Sequence, residues 1–192
     1  MNMKVKEISH VLETFAPLSI QESWDNSGLI IGSPEQDVHG VLLGFDCTSE
    51  LVDEAVECGA DMIVTHHPLI FGGLKKISPD DPTGLAVMKA VSAGIAVYAA
   101  HTTADKVLSG VSGAMAERLG LENIGILDED PNGYGLGAIG DLPEAMGGEK
   151  FIEYVKSCFN LKVARCSRIP DVQISKVAMC GGSGASLIDV AK

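Results

Sequence analysis

"GVLLGFDCTSELVDEAVECGADMIVTHHP", residues 40–68, decides how this chain folds. Its first part, "GVLLGFD" (40–46), is a short apolar run of strand length. "TSELVDEAVECG" (48–59) then reads as a helix, with Thr48 or Ser49 as N-cap, acids in the early turns and Gly59 at its end. "DMIVTH" (61–66) is a second buried strand, stopped by Pro68, which lacks the N–H a central strand must donate. Strand, helix, strand is the unit of an α/β sheet.

The pattern continues on both sides. "DPTGLAVMKAVSAG" (81–94) predicts a helix closed by Gly94, "IAVYAAH" (95–101) a strand, and "SGVSGAMAERLG" (109–120) a helix closed by Gly120. Upstream, Val5, Ile8, Val11, Leu12 and Phe15 recur at helical spacing, and Pro17 ends that helix. Downstream, 122–148 is rich in Gly and Pro and reads as turns with a short strand or two. A helix over 149–160, strands over 161–166 and 174–180, and a helix opening near Ser183 follow. The expected fold class is α/β, with a first lobe over residues 1–126 and a second, incomplete lobe over 127–192.

Composition narrows the function classes. With 46% hydrophobic and 21% charged residues, the chain is a folded globular one. Lys plus Arg number 14 against 26 Asp plus Glu, a net charge of −12 with no basic run, which argues against nucleic acid and in favour of a divalent cation. The five cysteines form no CxxC pair and read as buried free thiols. No segment has the apolar length to cross a membrane and the N-terminus has no apolar leader core, so a cytoplasmic protein is expected.

Ligands of open α/β sheets bind at the carboxyl ends of the strands. Three expected strand ends carry metal-competent residues: Asp46, the pair His66 and His67, and His101 with Asp105 four residues on in "HTTAD". Taken singly, Asp46 is also a helix N-terminal acid, His101 a core histidine and Asp105 a cap. Their coincidence points to a site. Beyond Pro68 the two adjacent imidazoles can leave the sheet, each towards one ion of a close pair. Imidazole and carboxylate together suit zinc, iron, manganese, cobalt or nickel. Two such ions need more ligands than His66, His67, His101 and Asp105 supply.

Two further stretches bear on the site. "WDNSG" (24–28) is either a rigid turn with Trp24 packed on the core, or a turn that sets Asp25 at the site mouth to hold a ligand histidine. "CGGSGAS" (180–186) is either a tight strand-to-helix turn or an anion cradle.

"WDNSGLIIG", "GFDCTSELVDEAVECGADMIVTHHPLIFGGLKKI", "AVYAAHTTADKVLSGVSGAMAERLGL" and "KVAMCGGSGASLI" together resemble, in order and spacing, the type 2 GTP cyclohydrolase I homologues, the NGG-interacting-factor-like dinuclear metal proteins. That resemblance implies two related α/β lobes with a two-metal site between them and a homo-oligomer, a ring-shaped hexamer. It implies metal ligation by His66, His67 and Asp105, with His101 at the first position of its block. The family's acid usually follows Leu where this chain has Ala104, and its later "H-x-x-x-E" block lies beyond Lys192.

The function expected is a hydrolase in which two divalent metal ions activate water against a nucleotide, phosphoester or related small-molecule substrate, with Asp46 and Asp25 assisting. The alternative is a non-catalytic metal- or nucleotide-binding regulatory module. No nucleic-acid or membrane partner is expected.

Overall fold

In the computed structural model, which describes residues 3–169 and 171–192, the quoted stretch folds as β4 (Val41–Gly44), α2 (Ser49–Cys58) and β5 (Met62–Thr65). They follow β1 (Met3–Lys4), α1 (Val5–Phe15), β2 (Gly28–Ile31) and β3 (Asp37–Val38). Next come α3 (Pro82–Ala93) and β6 (Ala96–Ala99). Local chemistry explains the helix limits. Thr48 accepts the Leu51 N–H and Asp81 the Gly84 N–H, while Gly59 and Gly94 end their helices in the left-handed conformation that glycine adopts without strain.

The larger sheet runs β2, β6, β5, β4. β4, β5 and β6 are parallel, and β2 pairs antiparallel with β6. β5 and β6 are buried along their whole length, as central strands covered on both faces should be. Side chains alternate between those faces. Ile63 and Val97 pack with Val52, Ala55 and Ala90 from α2 and α3. Met62, Val64, Ala96 and Tyr98 pack on the other side with Val5, Ile8 and Leu12 of α1. Burial of these apolar side chains, at roughly 25 cal/mol per Å2, is what holds the sheet between its helices.

The contacts divide the chain into one unit up to Ala104 and another from Asp105 on. The expected division after residue 126 differs from this, for a physical reason. α5 (Val111–Arg118), with Leu119 and Leu121, builds its core with Ala138, Leu142 and Val177 of the later sheet. The four-residue α4 (Thr102–Asp105) spans the division in sequence.

The second unit holds β7 (Glu122–Glu129), β8 (Gly135–Gly147), α6 (Gly148–Phe159), β9 (Gln173–Met179) and α7 (Ile188–Ala191). Its sheet is β7, β8, β9, antiparallel throughout, so it is not a second copy of the parallel pattern. Gly125, Gly135, Gly137 and Gly140 lie within strands, while Gly133 sits in the turn between β7 and β8. A Cβ on Gly135 would fall 1.9 Å from the Asp128 carbonyl, so glycine here permits close strand approach. Pro143 is tolerated because the β8–β9 register breaks between Asp141 and Met146. The expected strand over 161–166 does not form. Residues 161–169 are exposed at every position, so extended backbone there has no face to bury.

Candidate metal centre

Because β4, β5 and β6 are parallel, their carboxyl ends lie along one sheet edge, and the chain leaves that edge at Phe45–Asp46, at His66–His67 and at Ala100–His101. β5 stops at Thr65, so the histidine pair stands just outside the ladder. The pair is still held: the His67 N–H donates to the Phe45 carbonyl at 3.0 Å, and the Thr65 hydroxyl donates to the His67 carbonyl at 2.8 Å. β2 runs the opposite way with Gly28 opposite Ala99, which brings the preceding turn, Asp25 to Ser27, to the same edge. Asn26 ties that turn to the segment after the histidines through a 2.6 Å bond to the Ile70 carbonyl.

The three imidazoles converge. His66, His67 and His101 each offer one ligand atom, all lying within 4.8 Å of one another, a group able to hold a metal ion. Each ring is oriented from behind through Nδ1. His66 Nδ1 lies 3.1 Å from the Ala100 carbonyl, His67 Nδ1 2.7 Å from Asp46 Oδ1, and His101 Nδ1 2.8 Å from Asp25 Oδ1. A carbonyl or an ionised carboxylate can only accept, so the proton sits on Nδ1 and the lone pair of each neutral ring is on Nε2. That is how ligand histidines are usually prepared for a metal.

Asp25 is the most elaborately held acid of the site. Burial alone would push its carboxyl up. Against that, the Thr102 hydroxyl, His101, the Ser27 hydroxyl and the Asn26 N–H all donate to it and hold its pKa at about 2. The Thr102 N–H adds a bond at 3.1 Å, and Ser27 Oγ in turn accepts the His101 N–H at 3.2 Å. Asp25 is therefore ionised at neutral pH and fixes both the tautomer and the position of His101.

Aromatic side chains rim the group. Phe45 stacks on His66 with centroids 5.3 Å apart and meets His67 edge-on at 4.6 Å. Trp24 and Phe71 contact each other at 5.7 Å and each lies 5.9 Å from His101. Beside His67 and Asp46 opens a cavity of about 510 Å3 that reaches the N-terminal turns of α2 and α3 at Thr48, Glu50 and Thr83.

Of the residues singled out by sequence, the structure brings His66, His67, His101, Asp46 and Asp25 together in the first unit. Asp105 ends α4 and belongs to the second unit, where its carboxylate lies 4.0 Å from where a Gly181 Cβ would stand. Trp24 is 56% exposed, so it does not pack on the core as the rigid-turn reading had it. "CGGSGAS" leads into a 3-10 turn, Gly184–Leu187, and the four-residue α7, too short for an anion cradle. The five cysteines are all free, but Cys58 and Cys166 are exposed rather than buried. Burial lifts the Cys47 thiol to about 11. Sequence reading missed Ser27, Thr102, Phe45 and Phe71. The hydroxyls right after "WDN" and His101 were the available signal for the first two.

The fold and site define a mixed α/β protein whose sheet edge presents a three-imidazole centre backed by a carbonyl and two carboxylates. The family model described as Duf34/NIF3 (NGG1p interacting factor 3) matches residues 3–192. The chain belongs to this family. A relative from Clostridium acetobutylicum, named GTP cyclohydrolase 1 type 2 homolog, is 34% identical over 195 residues, covering 100% of this chain and 73% of its own. Among solved structures, a Staphylococcus aureus hypothetical protein superimposes with a TM-score of 0.94 at 30% identity, covering 100% of this chain and 76% of that one. A Bacillus cereus protein related to NIF3 does so with 0.91 at 26%, covering 99% and 79%. No helix among the described residues is long and apolar enough to cross a membrane.

Proposed function

We propose that this chain is a metal-dependent hydrolase working at a pair of divalent ions, with a nucleotide, phosphoester or related small molecule as substrate. The observation that carries the reading is the orientation of three imidazoles through Nδ1, which turns their Nε2 lone pairs to metal binding. Bound there, divalent ions supply Lewis acidity and a water acidic enough to act as nucleophile near neutral pH. Zinc, iron, manganese, cobalt and nickel all suit this donor set.

The chain's own contributions are specific. His66 and His67 are ligands on a rigid strand end, and His101 is a third. Asp46 and Asp25 do not touch the substrate; they hold the rings of His67 and His101 and make them better donors. Asp105 supplies a carboxylate ligand, as the family resemblance implies. The two-ion site and the homo-oligomer, a hexamer, are what the family resemblance implies, and a cytoplasmic location follows only from our reading of the sequence. Hydrolysis is tested with the full chain loaded with zinc or manganese. Release of p-nitrophenol from a phosphate ester, abolished by chelator and in a folded His66→Ala variant, is the expected result. Tight metal binding without turnover of esters or nucleotides would instead make the chain a metal-binding regulatory module.

A further inference from the structure

Residues 66–81, between β5 and α3, form neither helix nor strand. Irregular connections longer than about 12 to 15 residues are uncommon in compact domains and usually have a use. Both ends of this one are pinned. At the first, the Asn26 side chain donates to the Ile70 carbonyl at 2.6 Å, and Phe71 packs on Trp24 with ring centroids 5.7 Å apart. At the second, the Asp81 N–H donates to the Ser78 carbonyl at 3.2 Å, and Asp81 caps α3 by accepting the Gly84 N–H. The stretch between the pins is free. Among the described residues, 72–77 make no hydrogen bond or ion pair, and all of them are exposed.

The sequence of that stretch, "GGLKKI", suits movement. A Cβ on Gly72 or Gly73 would meet nothing within 4 Å, and neither residue has a positive φ, so neither packing nor a turn explains the pair. What two adjacent glycines add here is backbone freedom of the kind a hinge needs. Beyond them, Leu74 and Ile77 leave apolar surface in water, and Lys75 and Lys76 are two cations with no carboxylate against them.

The complement lies at the foot of the same loop. The cavity of about 510 Å3 beside His67 is lined by residues from both pinned ends, Leu69 and Pro79 among them, but not by 72–77. Asp46, Glu50 and Asp80 face it, with no lysine or arginine, and Cys47 and Leu85 are part of its apolar wall. Such a lining repels an anion and attracts a cation. The loop that frames it carries two.

We propose that residues 72–77 are a lid, hinged at Gly72–Gly73, that closes over this cavity by setting Lys75 and Lys76 against its carboxylates and Leu74 and Ile77 against its apolar wall. Exposed ion pairs are individually weak, so the closed form remains reversible. Closure takes the open His67–Asp46 pair out of bulk water, as lids do at catalytic sites. Only this use of the lid rests on the metal reading; the closing step does not.

The test traps the closed form while leaving every charge in place. In the full chain with Cys58→Ser and Cys166→Ser, Leu74→Cys is paired with Ser49→Cys at the cavity wall, or with Glu57→Cys at the far end of α2 as control. Under a mild oxidant, mass spectrometry should find the intrachain disulfide to Ser49→Cys forming several-fold faster than the control. Adding Lys75→Ser and Lys76→Ser should slow it several-fold, Lys75→Arg and Lys76→Arg should restore it, and about 1 M salt, with a screening length of roughly 3 Å, should slow the original pair. Equal trapping at both partners, a rate indifferent to the lysines, or disulfides formed only between two chains would overturn the lid. None of these readings needs a metal. Zinc should also pass to a chelator several-fold faster from the Lys75→Ser, Lys76→Ser variant of the otherwise unaltered chain, and equal release rates would overturn the lid's role at the metal centre.

Discussion

The two carboxylate–histidine pairs of the site do the same chemical work in opposite surroundings. At one end, His101 and Asp25 have side chains 14% and 0% exposed. At the other, His67 and Asp46 are 43% and 59% exposed, beside an open cavity. The buried pair is part of the folded core of its unit: Asp25 accepts from four side-chain or backbone groups besides His101, and it joins the turn before β2 to the start of α4. The open pair is held by one bond in water. One sheet edge thus carries an imidazole oriented within a buried network and an imidazole oriented by a single exposed bond to Asp46, and the two should fail differently when disturbed.

The largest effect is expected at the buried end. Asp25→Ala strands the donors of His101, Thr102, Ser27 and Asn26, and should lower the unfolding free energy by about 3 kcal/mol or more in urea titrations. A change below about 1 kcal/mol would erase the distinction between the pairs.

Acid sharpens the same point. The Asp25 carboxyl is held at about 2 against an ordinary 3.8. A depressed carboxyl stabilises the fold above its unfolded pKa and loses that contribution as pH falls towards the folded one. Asp25 should therefore contribute about 2 kcal/mol above pH 4, vanishing progressively as pH drops from about 4 to about 2. The stability gap between the unaltered chain and Asp25→Asn, followed across that range, should close on the acid side and stay constant above it.

The open pair should show in metal affinity instead. Asp46→Asn is expected to weaken zinc binding about 10- to 100-fold while shifting unfolding by less than about 1 kcal/mol. A loss of stability as large as that of Asp25→Ala would mean that the exposed pair is structural after all. Smaller still is Thr48→Ala. It removes the N-cap of α2 two residues after Asp46 and should cost about 1 kcal/mol, with little change in metal affinity if Asp46 is held by His67 rather than by the helix.

Much of this edge was legible in the sequence because parallel strands gather their carboxyl ends. Once 40–68 reads as strand, helix, strand, the positions of Asp46, His66, His67 and His101 follow from the chain direction alone. The meeting of Asp25 with His101 rested on something less visible. "GLII" is too short and too weakly flanked to announce β2, and nothing local reveals that it runs antiparallel, yet that reversal is what carries "WDNS" to the site. The aromatic rim was illegible for a related reason: Phe45 and Phe71 belong to apolar runs, where burial is the ordinary outcome. In the second unit Gly135, Gly137 and Gly140 looked like turn residues because close strand approach and tight turns ask for the same missing Cβ.

The central claim, that His66, His67 and His101 form a metal centre, is tested most directly by metal stoichiometry and affinity. The full chain is stripped with chelator, reloaded with zinc, and compared with folded His66→Ala, His67→Ala and His101→Ala variants by calorimetry and elemental analysis. The account predicts stoichiometric zinc in the unaltered chain and a large loss of affinity in each variant. A chain that takes up no zinc, manganese or iron, or that binds zinc equally well without these imidazoles, would contradict it.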